Sequence, residues 1–284
     1  MFESIDDKFV LANGVSMPVL GFGTWQIPND QPLESAVGSA LQLGYRLFDT
    51  AQIYQNASAI GRVIGHSGIP RQNLFLSSKI WTTHSTYQGV HEIVPELLQS
   101  LRVDYLDCLL LHWPHTEGEP MVWQSQNAGA WRAMEELYRQ GRVRSIGVAN
   151  FLPHHLVPLL ARAKIKPMVN QLELHPGYPQ FATVNFCLKN HIAIQAWSPL
   201  GRGLLLKNET IKQLAQKYNV SPAQLCLRWC IQHGFMPITR SIELNHLKEN
   251  TEIFGFSITE EDMKTLDTIP NTAYSGLHPD TVSF

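Results

Sequence analysis

Apolar positions along the chain follow two alternating rhythms. Short apolar runs rich in strand-forming residues alternate with longer stretches whose apolar residues recur at helical spacing. Lys8 to Leu20 reads as two strands about an Asn13-Gly14 turn. Leu33, Ala36, Val37, Ala40, Leu41 and Leu43 then keep a helical period up to Gly44, a stop signal. Gly44 to Asp49 predicts a strand, Ala57 to Ile64 a helix ended by Gly65, and Leu74 to Lys79 a strand. A helix over Gln88 to Leu101 tolerates Pro95 only with a kink or a late start. Further strands are predicted over Tyr105 to Leu111, Val143 to Val148, Met168 to Leu172, Ile192 to Trp197 and Met236 to Thr239. Helices fall between them, over Ala128 to Arg139, Pro153 to Ala163, Phe181 to Asn190, Thr210 to Tyr218 and Ser221 to His233. His246 to Phe254 and Glu260 to Leu266 end the series. Strands thus end near residues 23, 49, 79, 112, 148, 173, 197 and 239. Eight of them alternating with helices predict one α/β domain spanning 1–284. Its fold is a closed (β/α)8 TIM barrel, capped by the N-terminal β-hairpin and extended by C-terminal helices. A doubly wound sheet would need G-x-G-x-x-G after its first strand, and Gly21 and Gly23 are followed by Gln26 where the third glycine belongs.

Composition narrows the classes. The 284 residues are 44% hydrophobic and 16% charged with a formal net charge of −2, which leaves no basic footprint for nucleic acid. No apolar run reaches the length of a membrane span, and early acids in Met1 to Lys8 do not fit a secretory signal. Four cysteines (Cys108, Cys187, Cys226, Cys230) are too few for a disulfide framework in a chain this long. Cys226 and Cys230, i and i+4 on a helix, read as small buried apolar residues. The expectation is a cytoplasmic monomer with no nucleic-acid or membrane partner.

Candidate chemistry gathers where strands end. Asp49 closes one strand, with Tyr54 five residues on; Lys79 and His112 close the next two. Taken singly, each has a bland reading: an aspartate after a strand is commonly a helix N-cap, and a lone histidine a satisfied core residue. In a barrel, however, the C-terminal strand ends converge on one face, where active sites sit. A phenol with a pKa of about 10 is a poor acid near neutrality. An adjacent ammonium favours phenolate, a carboxylate holds that ammonium in place, and an imidazole can bind the same substrate oxygen. Such a set suits proton delivery to a carbonyl oxygen while another group supplies hydride. His115, His154 and His155 show no metal-ligand spacing, so no metal is expected.

Several stretches resemble the motifs of the aldo-keto reductase superfamily. They are Asp49-Thr50-Ala51-x-x-Tyr54, Ser78-Lys79, Leu110-Leu111-His112-Trp113-Pro114, Gly147-Val148-Ala149-Asn150-Phe151, Asn170-Gln171-x-Glu173-x-His175-Pro176 and Trp197-Ser198-Pro199-Leu200-Gly201. They keep the family's order over nearly the whole chain, and the tail His278-Pro279-Asp280-Thr281 is similar to the bacterial 2,5-diketo-gluconate reductase branch. The resemblance implies reduction of small aldehydes, ketones or keto-sugars with NADPH, NADH being a secondary cofactor. Tyr54 would be the general acid, Asp49 and Lys79 its tuning pair, and His112 the group that orients the carbonyl. Asn150 and Gln171 would meet the carboxamide, and Trp197 would stack on the nicotinamide ring. Gly23, Thr24, Asp49, Ala149, Ser198, Leu200 and Gly201 would border the cofactor. Arg240, Ser241, His246 and Asn250 would lie about its 2′-phosphate. Trp25, Ile53, Trp81 and Trp113 would line the substrate slot with Tyr54 and His112.

Departures from the pattern bear on the cofactor. Ala149 replaces a usual serine, Ala57 a usual glutamate, Arg240 a usual lysine and His246 a usual arginine, and Glu243 adds a negative charge. Arg240 can grip a phosphate bidentately, while Glu243 and His246 pull the other way, so NADPH is favoured on balance. Two other readings are a non-catalytic nicotinamide-binding regulatory subunit and a metal-dependent barrel hydrolase. The complete set of four catalytic residues disfavours the first, and the absent ligand spacing the second.

Overall fold

The computed structural model describes residues 2–114 and 120–282; His115 lies outside them. Strands β1 (Lys8–Val10) and β2 (Ser16–Pro18) pair antiparallel, with Val10 opposite Ser16. Their turn differs from a two-residue Asn-Gly hairpin. Gly14 N–H donates to the Leu11 carbonyl, and Gly14 takes φ +84 while Asn13 keeps a negative φ. This is a turn over Leu11–Gly14 followed by a left-handed bulge residue, which only glycine adopts without a Cβ penalty.

Eight parallel strands close the barrel: β3 (Gly21–Gly23), β4 (Leu47–Asp49), β5 (Phe75–Ile80), β6 (Cys108–Leu111), β7 (Ile146–Ala149), β8 (Val169–Glu173), β9 (Ala193–Trp197) and β10 (Met236–Thr239). They neighbour one another in chain order, and β10 pairs back onto β3 through Ile238 and Gly21. Helices α1 (Gln31–Gln42), α2 (Ala57–His66), α3 (Tyr87–Leu101), α4 (Pro120–Arg139), α5 (Pro153–Arg162) and α6 (Phe181–Lys189) follow the first six barrel strands. α7 (Glu209–Lys217) and α8 (Pro222–Gln232) follow β9, and α9 (Leu244–Thr251) and α10 (Glu260–Thr268) follow β10. Local chemistry sets several starts. Thr86, Asn208, Ser221 and Thr259 each accept a backbone N–H from the first turn of their helix, and Ser221 with Gln224 completes a capping box.

Several elements depart from the expected bounds; β4 and β7 each begin three residues later than expected, at Leu47 and Ile146. β6 starts at Cys108, not Tyr105, because the Asp107 carboxylate rather than a backbone carbonyl takes the Leu76 N–H, and Arg71 takes the Tyr105 carbonyl. α3 runs from Tyr87 to Leu101 with Pro95 inside it, on an exposed side where water can reach the carbonyl that loses its backbone donor. α4 begins at Pro120, well before Ala128, through Met121 and Val122, which are exposed and carry no apolar period. The hairpin closes the N-terminal end: Asn13 donates to the Arg144 carbonyl just before β7, and buried Met17 reaches into the barrel.

Candidate active site

Asp49 is the last residue of β4 and is buried, and the chain turns at once into a short 3-10 turn, Gln52–Tyr54. That turn is pinned from below. Buried Asn56 accepts from the Thr50 hydroxyl at 2.8 Å and donates to the Thr24 and Ile27 carbonyls at 2.8 and 3.0 Å. Lys79, on β5, is 1% exposed; its ammonium donates to Asp49 Oδ2 and, at 3.0 Å, to the Thr50 carbonyl. It lies 5.2 Å from the centre of the Tyr54 ring. His112, just past β6, meets Tyr54 edge-on at 5.8 Å and Trp81 at 5.0 Å between ring centres. The four groups expected to meet at the barrel mouth do so.

Their electrostatics follow from burial. Desolvation raises the Tyr54 phenol above its ordinary value; Lys79 lowers it, but by less. The expectation that Lys79 depresses the phenol is therefore right in sign for that contact and outweighed by burial. For Lys79, burial pulls downward, yet Asp49 and Tyr54 together lift it, so it stays an ammonium. Burial, then the Lys79 charge, pushes His112 well below 6.5, so its imidazole is neutral. Its Nδ1 has no hydrogen-bond partner among the described residues.

Beside this set runs a strip of oriented amides. Asn150 takes left-handed backbone at φ 63; its Oδ1 accepts from the Trp197 indole N–H at 2.8 Å, and its Nδ2 donates to the His112 carbonyl at 3.0 Å. Gln171 Nε2 donates to Asp49 Oδ1 at 3.1 Å and to Gln195 Oε1 at 3.0 Å. Trp197, at the end of β9, is half-buried, and left-handed backbone at Ser198, Gly201 and Arg202 wraps the loop after it. Such conformations cost about 1–3 kcal/mol each at non-glycine residues and concentrate at ligand clamps. Arg202 lies over the Trp25 ring at 5.2 Å, and Arg240 donates to the Trp25 carbonyl at 3.2 Å. Arg240 and His246 are exposed, and Ser241 Oγ sits 3.5 Å from His246 Nδ1. The donor set fits a nicotinamide dinucleotide: amide groups with unused valences at one end, a half-open indole, and exposed cations at the other.

Not every expected cofactor neighbour offers its side chain. The Thr24 hydroxyl is fully buried, between the Asp49 carbonyl and Asn56. Asn250 is buried beside Tyr45 rather than open with Arg240. Gly23 and Ala149 are buried in the barrel wall, and Leu200 is half-buried. At the rim, Trp25 and Ile53 are exposed, Trp81 is half-buried and Trp113 is buried beneath them. Gln52 braces this rim, accepting from the Trp81 N–H at 3.3 Å and bonding His84 at 3.1 Å. Sequence reading missed Gln52, Gln195 and Arg202; for Gln195 the available signal was a polar residue inside an apolar strand.

One histidine cluster could not be seen from spacing. His154 and His155 each place Nε2 2.8 Å from Asp280 Oδ1, across 126 residues in the case of His154. His155 Nδ1 accepts the Leu152 N–H, so Nε2 carries the proton that a metal would need removed. A ligating histidine donates from its other nitrogen, and this arrangement reads as an anchor for the C-terminal tail. Ser275 ties the same tail to Glu173.

A phenol, an ammonium and a neutral imidazole at one barrel mouth, beside an open strip of amides, define the class: an enzyme that moves hydrogen onto a small molecule. The Aldo/keto reductase family model matches residues 19–271, and the chain belongs to that family. It is 41% identical to glyoxal reductase of Bacillus subtilis (strain 168) over 284 residues, all of both chains. It is 38% identical to methylglyoxal reductase DkgA of Yersinia pestis, over 89% of each chain. The crystal structure of a Gox0644 point mutant in complex with NADPH matches with a TM-score of 0.89 and 34% identity, over 98% of each chain. The chain is accordingly a nicotinamide-dependent oxidoreductase.

Proposed function

We propose that the chain reduces small aldehydes and ketones with NADPH, reactive dicarbonyls such as glyoxal and methylglyoxal among them, and that Tyr54 is the proton donor. The observation that carries this reading is Lys79, held between Asp49 Oδ2 and the Thr50 carbonyl beside the Tyr54 phenol. A reduced nicotinamide, when bound, supplies a hydride to the carbonyl carbon. Burial keeps Tyr54 protonated at neutral pH, the form an acid needs. As charge develops on the substrate oxygen, the phenol gives up its proton and Lys79 stabilises the phenolate left behind. Neutral His112 donates a ring N–H to the same oxygen and orients it. Solvent then returns the proton to Tyr54, completing the cycle.

Cofactor choice rests on Arg240, whose guanidinium can fork onto a 2′-phosphate, aided by Ser241 and His246 and opposed by exposed Glu243. NADH, without that phosphate, is the weaker, secondary cofactor. The names of the two relatives support dicarbonyls as substrates, and the half-open tryptophan rim suits small, partly apolar carbonyls. The test is oxidation of NADPH and of NADH, followed by the loss of reduced-nicotinamide absorbance with glyoxal, methylglyoxal, simple aldehydes and keto-sugars. NADPH should support turnover of the dicarbonyls, and Arg240→Ala should weaken NADPH about ten- to a hundredfold while barely moving NADH. No turnover of any carbonyl, or equal weakening of both cofactors, would refute the corresponding half of the proposal.

A further inference from the structure

Gln195 is a fully buried amide in the middle of β9, among apolar neighbours and out of reach of any substrate. Its Nε2 faces the Met17 sulfur at 3.2 Å, which can only accept, so its Oε1 is turned to Gln171. Gln171 is thereby gripped at both amide hydrogens, one by Gln195 Oε1 and the other by Asp49 Oδ1, since an ionised carboxylate has no hydrogen to give. Its Oε1 is the one valence left over, and it accepts from no described residue. Asn150 is set in the opposite sense. The Trp197 indole, a donor only, claims its oxygen, and the His112 carbonyl takes one amide hydrogen, so a single N–H remains. The two residues are backbone neighbours where β7 ends against β8, the Asn150 N–H donating to the Gln171 backbone carbonyl at 2.9 Å.

We propose that Gln195 is a positioning residue that fixes Gln171 with its carbonyl outward, so that the Asn150–Gln171 pair presents one donor and one acceptor and recognises a primary carboxamide in a single orientation. This rests on the nicotinamide reading above. Met17 extends the lock to the hairpin, whose buried side chain holds Gln195 from the closed end of the barrel. Loss of the Gln195 oxygen leaves Gln171 hanging from Asp49 by one bond, free to swing its carbonyl away from the cofactor.

The probe is a pair of reduced cofactors, NADPH and its 3-acetylpyridine analogue, which keeps a carbonyl but has a methyl group where the carboxamide has its N–H donor. Each is titrated by tryptophan quenching, with melting temperatures recorded alongside. Wild type should favour NADPH about tenfold, the worth of one hydrogen bond to an otherwise unpaired carbonyl. Gln195→Met, and Gln195→Asn, which withdraws the amide by one methylene, should narrow that preference to about threefold or less. Gln195→Glu should restore it, because a buried glutamate is neutral there and can still accept from Gln171 while donating to Met17. If the Met variant does not fold, the Asn and Glu variants decide alone. A preference that stays at the wild-type value in the folded Met or Asn variant, including a loss of affinity equal for both cofactors, would make Gln195 mere packing and overturn the proposal. Wild type binding neither cofactor would instead bring down the nicotinamide reading, and the role of Gln195 with it.

Discussion

At the residue scale, Tyr54 and Lys79 illustrate how one contact and its surroundings compete. Lys79 favours phenolate, but burial favours the neutral phenol by more, so Tyr54 rests in the protonated form that the proposed role of acid requires. Removing the ammonium leaves burial unopposed and moves the phenol further up. In the direction of alcohol oxidation, where phenolate is the active form, rate should rise with pH through the phenol's titration. Lys79→Met should shift that limb to higher pH and lower turnover roughly 10²–10⁴-fold. A pH–rate profile of the variant checks this; an unmoved limb at normal rate would reduce Lys79 to a structural partner of Asp49. The coupling between Tyr54 and Lys79 means that the limb belongs to the pair rather than to either residue.

At the scale of elements, the alternation of strand and helix was legible throughout, and with it the meeting of Asp49, Lys79 and His112, because each sits at or just past a strand end. Less legible was whatever depends on side chains replacing backbone. Asp107 truncates β6, and Pro95 passes through α3 because its face of the helix is wet. The Asn150 and Gln171 amides were found by resemblance, but their settings depend on Trp197 and Gln195, strands away in sequence. Nor does sequence show how closely α2 rides on the end of α3: a Cβ at Gly61 would lie 2.6 Å from the Leu101 carbonyl oxygen. That contact is with backbone and cannot yield by a rotamer change. Gly61→Ala, a favourable substitution in an isolated helix, should therefore destabilise the fold by about 1–3 kcal/mol. A urea midpoint unchanged or raised would show that the two helices separate freely.

Across the whole molecule, buried charge appears at both ends of the barrel with different consequences. Toward the N-terminal end, Asp107 is satisfied by Arg71, Arg144 and the Leu76 N–H. At the C-terminal end, Asp49 is satisfied by Lys79 and Gln171, yet the groups around it keep valences to offer: the His112 ring, the Gln171 carbonyl and the last Asn150 N–H. The same fold thus closes one mouth with matched ions and the Met17 hairpin and leaves the other chemically unfinished. A barrel with catalysis confined to that second mouth should lose its chemistry, and nothing else, when the proton donor alone is removed. The most direct measurement is steady-state reduction of methylglyoxal by Tyr54→Phe, with NADPH affinity taken from tryptophan quenching of the same preparation. Turnover should fall roughly 10²–10⁴-fold while the dissociation constant for NADPH stays at the wild-type value. Turnover close to wild type in a variant that binds NADPH normally would contradict the assignment of Tyr54 as the acid.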